Sequence, residues 1–120
     1  MQKKTLVIGA SADPSRYSHM AITMLREHDH PVIAIGKRSG SVVDVEIQKD
    51  NTEEKDIDTI TLYINPGFQK EYYDYIISLH PKRIIFNPGT ENPELYDLAN
   101  NAGIETKEAC TLVMLRTGQY

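Results

Sequence analysis

Short apolar runs alternate along this chain with longer stretches in which apolar residues recur three or four positions apart. "KTLVIGA" (4–10) is continuously apolar at its centre, carries Val and Ile, and ends at a glycine. It predicts a strand buried on both faces. In "SHMAITMLREH" (18–28), Met20, Ala21, Met24 and Leu25 fall on one helical stripe. Ser18 is the expected N-cap, its hydroxyl accepting from the free N–H groups of the first turn. "HPVIAIG" (30–36) predicts a second strand, with Pro31 tolerated at its start. Val43, Val45 and Ile47 alternate with polar residues and predict one short, half-exposed strand, followed by the polar loop "QKDNTEEKD".

"TITLYIN" (59–65) is β-branched and predicts the third main strand. "PGFQKEYYDYIISLH" (66–80) places Phe68, Tyr72, Tyr75, Ile76 and Leu79 on one face of a helix, with its tyrosines read as core and rim. "KRIIFN" (82–87) is a further strand. "ENPELYDLANNAG" (91–103) has Asn92 as N-cap, Pro93 at the first helical position, Gly103 beyond the end, and a stripe of Leu95, Leu98, Ala99 and Ala102. The remainder gives a last short strand and an apolar segment, "TLVML" (111–115). That segment suits a core strand, a helical turn or a self-association patch.

Strands alternating with helices imply parallel strands joined by right-handed crossovers. The expected fold class is α/β: a doubly wound, mainly parallel, Rossmann-like sheet in three α/β/α layers. The 120 residues fit one domain, 1–120. In such sheets ligands lie beyond the carboxyl ends of the strands. Four loops are expected on that edge: "GASADPSRYS" (9–18), "GKRSG" (36–40), "NPG" (65–67) and "NPGTENPE" (87–94). Gly9 allows close backbone approach to a ligand, Ser11 and Ser18 offer hydroxyls, and the helix start near Ser18 favours an anion. Asparagine offers donor and acceptor together, and proline can wall a flat base. Each Asn-Pro-Gly alone is also ordinary turn chemistry. The weight lies in four such loops sharing one edge.

Charge narrows the ligand. The net charge of −4 argues against a nucleic-acid backbone as partner. The end of the second strand nevertheless carries Lys37 and Arg38, where an NAD-binding domain holds a carboxylate against the ribose. Adjacent cations suit a ribose phosphate: the 2′-phosphate of NADP or the 3′-phosphate of coenzyme A (CoA). A solvated basic turn is the simpler alternative. A small anionic nucleotide is therefore the expected partner. No apolar run reaches the roughly 18 residues of a membrane span, and no leader is read at the N-terminus. The single cysteine, Cys110, leads us to expect a reducing, cytoplasmic setting.

With these residues in place, the chain resembles the small stand-alone CoA-binding domains, which are akin to the CoA-binding domain of succinyl-CoA synthetase alpha chains and acyl-CoA synthetases. The resemblance covers nearly the whole chain. It rests on the opening "VIGASADPSRYSHMAITMLREHDHPVIAI", with its Gly9-Ala10-Ser11 turn, and on "ITLYINP", "RIIFNPGTENPELYDLANNAGIET" and "EACTLVML". It implies a CoA pyrophosphate near Ser11, Arg16 and Ser18, and a 3′-phosphate on Lys37 and Arg38. It implies adenine beside Asn65 and Pro66, and a pantetheine arm approached by Asn87, Pro88, Gly89 and Thr90. Two stretches depart from the family pattern. "GKRSG" replaces an Asn-Pro pair after the second strand, and "VVDVEIQKDNTEEKD" replaces a stretch with glycine and tyrosine.

No catalytic constellation is legible. The histidines His19, His28, His30 and His80 are scattered, none pairs with the cysteine in sequence, and no metal-ligand spacing occurs. The reading is a non-catalytic CoA or acyl-CoA binding protein, a sensor or a partner of a synthetase. Two others stay open: an NADP-binding, oxidoreductase-like domain, and an interaction domain that has lost its nucleotide. Self-association through "TLVML" stays open as well.

Overall fold

In the computed structural model, which describes residues 2–120, every predicted main strand forms. The strands are β1 (Thr5–Ile8), β2 (Val32–Ile35), β3 (Gly40–Val42), β4 (Val45–Gln48), β5 (Thr59–Leu62), β6 (Arg83–Phe86) and β7 (Glu105–Glu108). They make one sheet in the order β3-β4-β2-β1-β5-β6-β7. All neighbouring pairs are parallel except β3 with β4. The helices are α1 (Tyr17–Glu27), α2 (Pro66–Gln69), α3 (Tyr73–Leu79), α4 (Pro93–Asn101) and α5 (Thr111–Arg116). This is the expected α/β, Rossmann-like arrangement.

The period-2 geometry of each strand sends its residues to two different cores. Leu6, Ile8, Ile60, Leu62, Ile84 and Phe86 face Ile76 of α3 and Leu95 and Ala99 of α4. Phe86 meets Tyr96 edge-on, with ring centroids 4.3 Å apart. On the other face, Val7 and Ala34 pack under Ile22 and Leu25 of α1 and Leu115 of α5. Helices on both faces explain why β1 and β5 are buried at every position.

The structure corrects four local expectations. The segment read as one alternating strand is a hairpin, β3–β4, turning at Val43 and Asp44. Val42, Val45 and Ile47 point inward, whereas Val43 is exposed at φ 57°. Arg26 of α1 holds the turn with two bonds to Asp44, at 2.9 and 3.0 Å. The single helix expected over 66–80 breaks into α2, a 3-10 turn at Lys70–Tyr72, and α3. The break rotates the buried face, so that Gln69 is fully buried and Phe68 is exposed. In α1 the buried stripe is Ser18, Ala21, Ile22 and Leu25, with Met20 exposed. In α4, Leu98 is exposed, while Asn92 caps as expected through Glu94 N and Leu95 N.

The amino ends of the strands are closed by Tyr120. Its hydroxyl bonds Thr5 Oγ1 at 2.5 Å, and its backbone carbonyl accepts from Lys3 Nζ and from Arg83 at 3.2 Å. Arg83 lies 4.6 Å from the ring centroid and His30 4.9 Å. His30 is buried and accepts from Lys3 N at 2.9 Å. Burial pushes its pKa below the ordinary imidazole value. Stability from this neutral histidine is thus present above the ordinary imidazole pKa and is lost as pH falls through the lowered one.

Candidate functional site

The carboxyl ends of β1, β2, β5 and β6 open into a cleft of about 980 Å³, near the upper end of the range common for small-molecule sites. Gly9, Ala10, Ser11, Arg16, Ser18, Lys37, Arg38, Asn65, Pro88 and Thr90 line it. Pro66, Asn87 and Gly89 do not. A second hollow, of about 520 Å³, lies along the β3–β4 edge and holds none of the predicted residues.

The first bank is the β1–α1 loop. Gly9 has φ 95°, and a Cβ there would fall 2.7 Å from Ile64 Cγ2 and 2.8 Å from the Tyr63 carbonyl carbon. The protein's own β5 end therefore requires this glycine, as well as any ligand that approaches it. Downstream, Ser11 Oγ accepts from Asp13 N at 3.1 Å. Asp13 Oδ1 accepts from Ser15 N at 2.9 Å and from Ser15 Oγ at 2.8 Å. The backbone bond from Ser15 is the largest cause holding the Asp13 carboxyl below its usual range.

Ser18 is not the cap of α1. Arg16 holds that position with extended backbone and makes no side-chain capping bond, and Ser18 lies buried within the first turn. The first turn carries no acidic residue either. An uncapped helix start facing a cleft presents free N–H groups and the positive end of the helix dipole to an anion.

The second bank is the loop after β2. Among the described residues, Arg16, Lys37 and Arg38 have no carboxylate within ion-pair distance. Three unpaired cations thus face one carboxylate, Asp13, around this cleft, on a chain whose net charge is −4. That imbalance, together with the open helix start, suits an anionic ligand. Lys37 reaches across to the third bank, where its Nζ sits 3.9 Å from the ring centroid of Phe68.

The two Asn-Pro-Gly loops serve differently. Asn65 is exposed on the cleft, and Pro66 opens α2. Asn87 is 2% exposed, and its side chain is committed inside the protein. Its Nδ2 donates to Thr61 Oγ1 at 2.7 Å and to Leu62 O at 2.8 Å, and its Oδ1 accepts from Thr111 N at 2.9 Å. It ties β5, β6 and the start of α5 together, so its amide is not free for a pantetheine arm. Of the loop 87–90, Pro88 and Thr90 line the cleft, whereas Asn87 does not.

Sequence reasoning missed three residues. Gln69 donates from Nε2 to Ile64 O at 3.0 Å and to Thr90 O at 2.8 Å, and its Oε1 accepts from Asn92 Nδ2 at 2.9 Å. It bolts the β5–α2 loop to the β6–α4 loop. Tyr63 walls the cleft, with a buried hydroxyl that has no hydrogen-bond partner. Burial pushes that phenol above its ordinary range and keeps it neutral. Phe68, placed by its spacing on one helical face with Tyr72, Tyr75, Ile76 and Leu79, stands on the cleft. Gln69 is followed directly by Lys70 and Glu71, so its polarity alone does not mark it as a buried residue.

Among the described residues no group of His, Cys, Asp and Glu is placed to hold a metal ion. Among the described residues no helix is long and apolar enough to cross a membrane. Among curated proteins, none matches the chain in sequence. Solved structures do. An uncharacterised protein shares 45% identity over 100% of this chain and 99% of its own, with a TM-score of 0.97. A hypothetical protein from Pyrococcus horikoshii OT3 shares 23% identity over 97% of this chain and 83% of its own, with a TM-score of 0.87. A protein redesigned for binding shares 22% identity over 99% of this chain and 86% of its own, with a TM-score of 0.86. The last two likenesses establish the fold. The family profile described as "CoA binding domain" matches residues 3–116, nearly the whole chain, and supports CoA binding in general. With its cations, its uncapped helix start and its four loops on one edge, this chain belongs to the CoA-binding domain family.

Proposed function

We propose that the cleft binds coenzyme A, free or acylated, and that the chain acts as a non-catalytic binding module, a sensor of CoA or a partner of a synthetase. The observation that carries this reading is the convergence of Arg16, Lys37 and Arg38, all without carboxylate partners, on a cleft entered by the uncapped start of α1. The pyrophosphate lies at that helix start, beside Ser11 and Arg16. Lys37 and Arg38 take the 3′-phosphate. The adenine lies by Asn65, and the pantetheine arm passes Pro88 and Thr90.

Calorimetric titration with CoA, dephospho-CoA and NADPH tests it. CoA is expected to bind more tightly than dephospho-CoA, because only CoA carries the 3′-phosphate. At about 100 times its dissociation constant, CoA adds roughly 2.7 kcal/mol of stability, which raises Tm by roughly 10 °C in a domain of this size. Equal affinity for CoA and dephospho-CoA removes the phosphate role of Lys37 and Arg38. The same cations suit a 2′-phosphate, so protection by NADPH without protection by CoA moves the reading to an NADP-binding domain. Binding of none of the three leaves a domain that has kept the fold without the nucleotide.

A further inference from the structure

The contact between Lys37 and Phe68 spans the mouth of the cleft. Lys37 leaves the end of β2, Phe68 follows β5, and β1 lies between those strands. Phe68 is 49% exposed and belongs to neither core cluster. Its neighbour Gln69 takes the buried position and anchors the short helix, so the phenyl ring is presented to the cleft without being needed beneath it. The Lys37 ammonium, 3.9 Å from the ring centroid, is itself exposed and has no carboxylate partner among the described residues.

Magnitudes decide what such a ring is good for. An exposed cation–π contact is worth roughly a 2- to 5-fold factor in an equilibrium constant. A nucleobase stacked on an aromatic side chain is worth roughly 5- to 150-fold. A purine entering the cleft therefore gains more from the ring than the ammonium loses. The displaced ammonium remains within the same cleft, with a phosphate-bearing ribose as its new partner.

We infer that Phe68 is the stacking platform for the purine base of the ligand, and that Lys37 covers the ring until the base arrives and then turns to the ribose phosphate. This rests on the CoA reading and sharpens it, because it makes one side chain answerable for recognition of the base. It also explains why an aromatic residue stands exposed in a segment whose other aromatic residues, Tyr72, Tyr73 and Tyr75, pack against the core.

The chain contains no tryptophan, so Phe68→Trp places a sole indole at the cleft mouth. CoA and adenosine 3′,5′-bisphosphate are expected to quench its emission, whereas 4′-phosphopantetheine, which lacks the base, leaves it unchanged. Phe68→Ala is expected to weaken CoA binding by roughly 5- to 150-fold and to leave the Tm of the free protein near that of the wild type. CoA binding to Phe68→Ala as tightly as to wild type overturns the inference. So does unchanged Phe68→Trp emission while calorimetry shows CoA bound. If wild type binds no CoA, the CoA reading falls, and NADPH then decides the platform separately. Quenching by NADPH upholds it, and silence toward both nucleotides overturns it.

Discussion

The tripeptide Asn-Pro-Gly occurs at 65–67 and again at 87–89, each time straight after a buried parallel strand. At the first copy the asparagine is exposed, makes no capping bond, and the proline starts α2. At the second copy the asparagine is buried, and its amide joins β5, β6 and α5. The difference comes from what stands beyond each copy. Thr90 closes the second turn by donating N–H and Oγ–H to Asn87 O, at 2.9 and 2.8 Å. Thr111, 24 positions downstream, brings a backbone N–H to Asn87 Oδ1. A turn signal thus specifies that the chain turns, and long-range packing decides whether its asparagine faces ligand or core.

Breaking the second copy is expected to have the largest effect. Asn87→Ala strands the Thr111 N–H in the interior, removes the donor to Thr61 Oγ1 and Leu62 O, and costs about 3 kcal/mol, measured by urea denaturation. Asn65→Ala stays within about 0.5 kcal/mol of wild type. Similar losses from both would erase the contrast. Next comes the link between the copies. Gln69→Leu removes the bonds to Ile64 O and Thr90 O and leaves Asn92 Nδ2 with only Tyr73 Oη, at 2.7 Å. It is expected to cost about 2 kcal/mol in the same assay and to weaken CoA binding, since the walls bearing Asn65 and Thr90 lose their common anchor. Unchanged affinity would show that the cleft does not depend on this link. The smallest effect separates the glycines. Gly89 sits at φ 90°, so Gly89→Ala costs about 1 to 2 kcal/mol. Gly67 has no positive φ, and Gly67→Ala changes stability by no more than about 0.5 kcal/mol.

The strands and their order of appearance were legible because β-branched runs bounded by glycine and proline carry their own signal, as "TLVI" and "RIIF" show. The site was legible in outline for the same reason: a parallel sheet puts the loops after its strands on one edge, which gathered Gly9, Ser11, Arg16, Lys37, Arg38 and Thr90 into one cleft. What stayed hidden depended on contacts between distant segments. The helix over 66–80 breaks where Gln69 finds three polar partners from two loops, and no periodicity encodes those partners. Once the break rotates the face, Phe68 changes sides. Val43 reads as an inward strand residue, yet it sits at the tip of a hairpin in a left-handed conformation that β-branched residues rarely adopt.

The central position of β1 has a consequence for the order in which the cleft can exist. Its neighbours are β2, which begins at Val32, and β5, which begins at Thr59. A chain emerging from synthesis can form the β1–α1–β2 bank early, from nearby residues. The bank bearing Asn65 and Phe68 arrives only after the long polar loop, and the wall bearing Thr90 later still. On the proposed CoA reading, the residues assigned to the phosphates therefore come first along the chain, and those assigned to the base and the arm come last. A ligand that needs all of them acts on the finished domain, slowing its unfolding rather than guiding its early collapse.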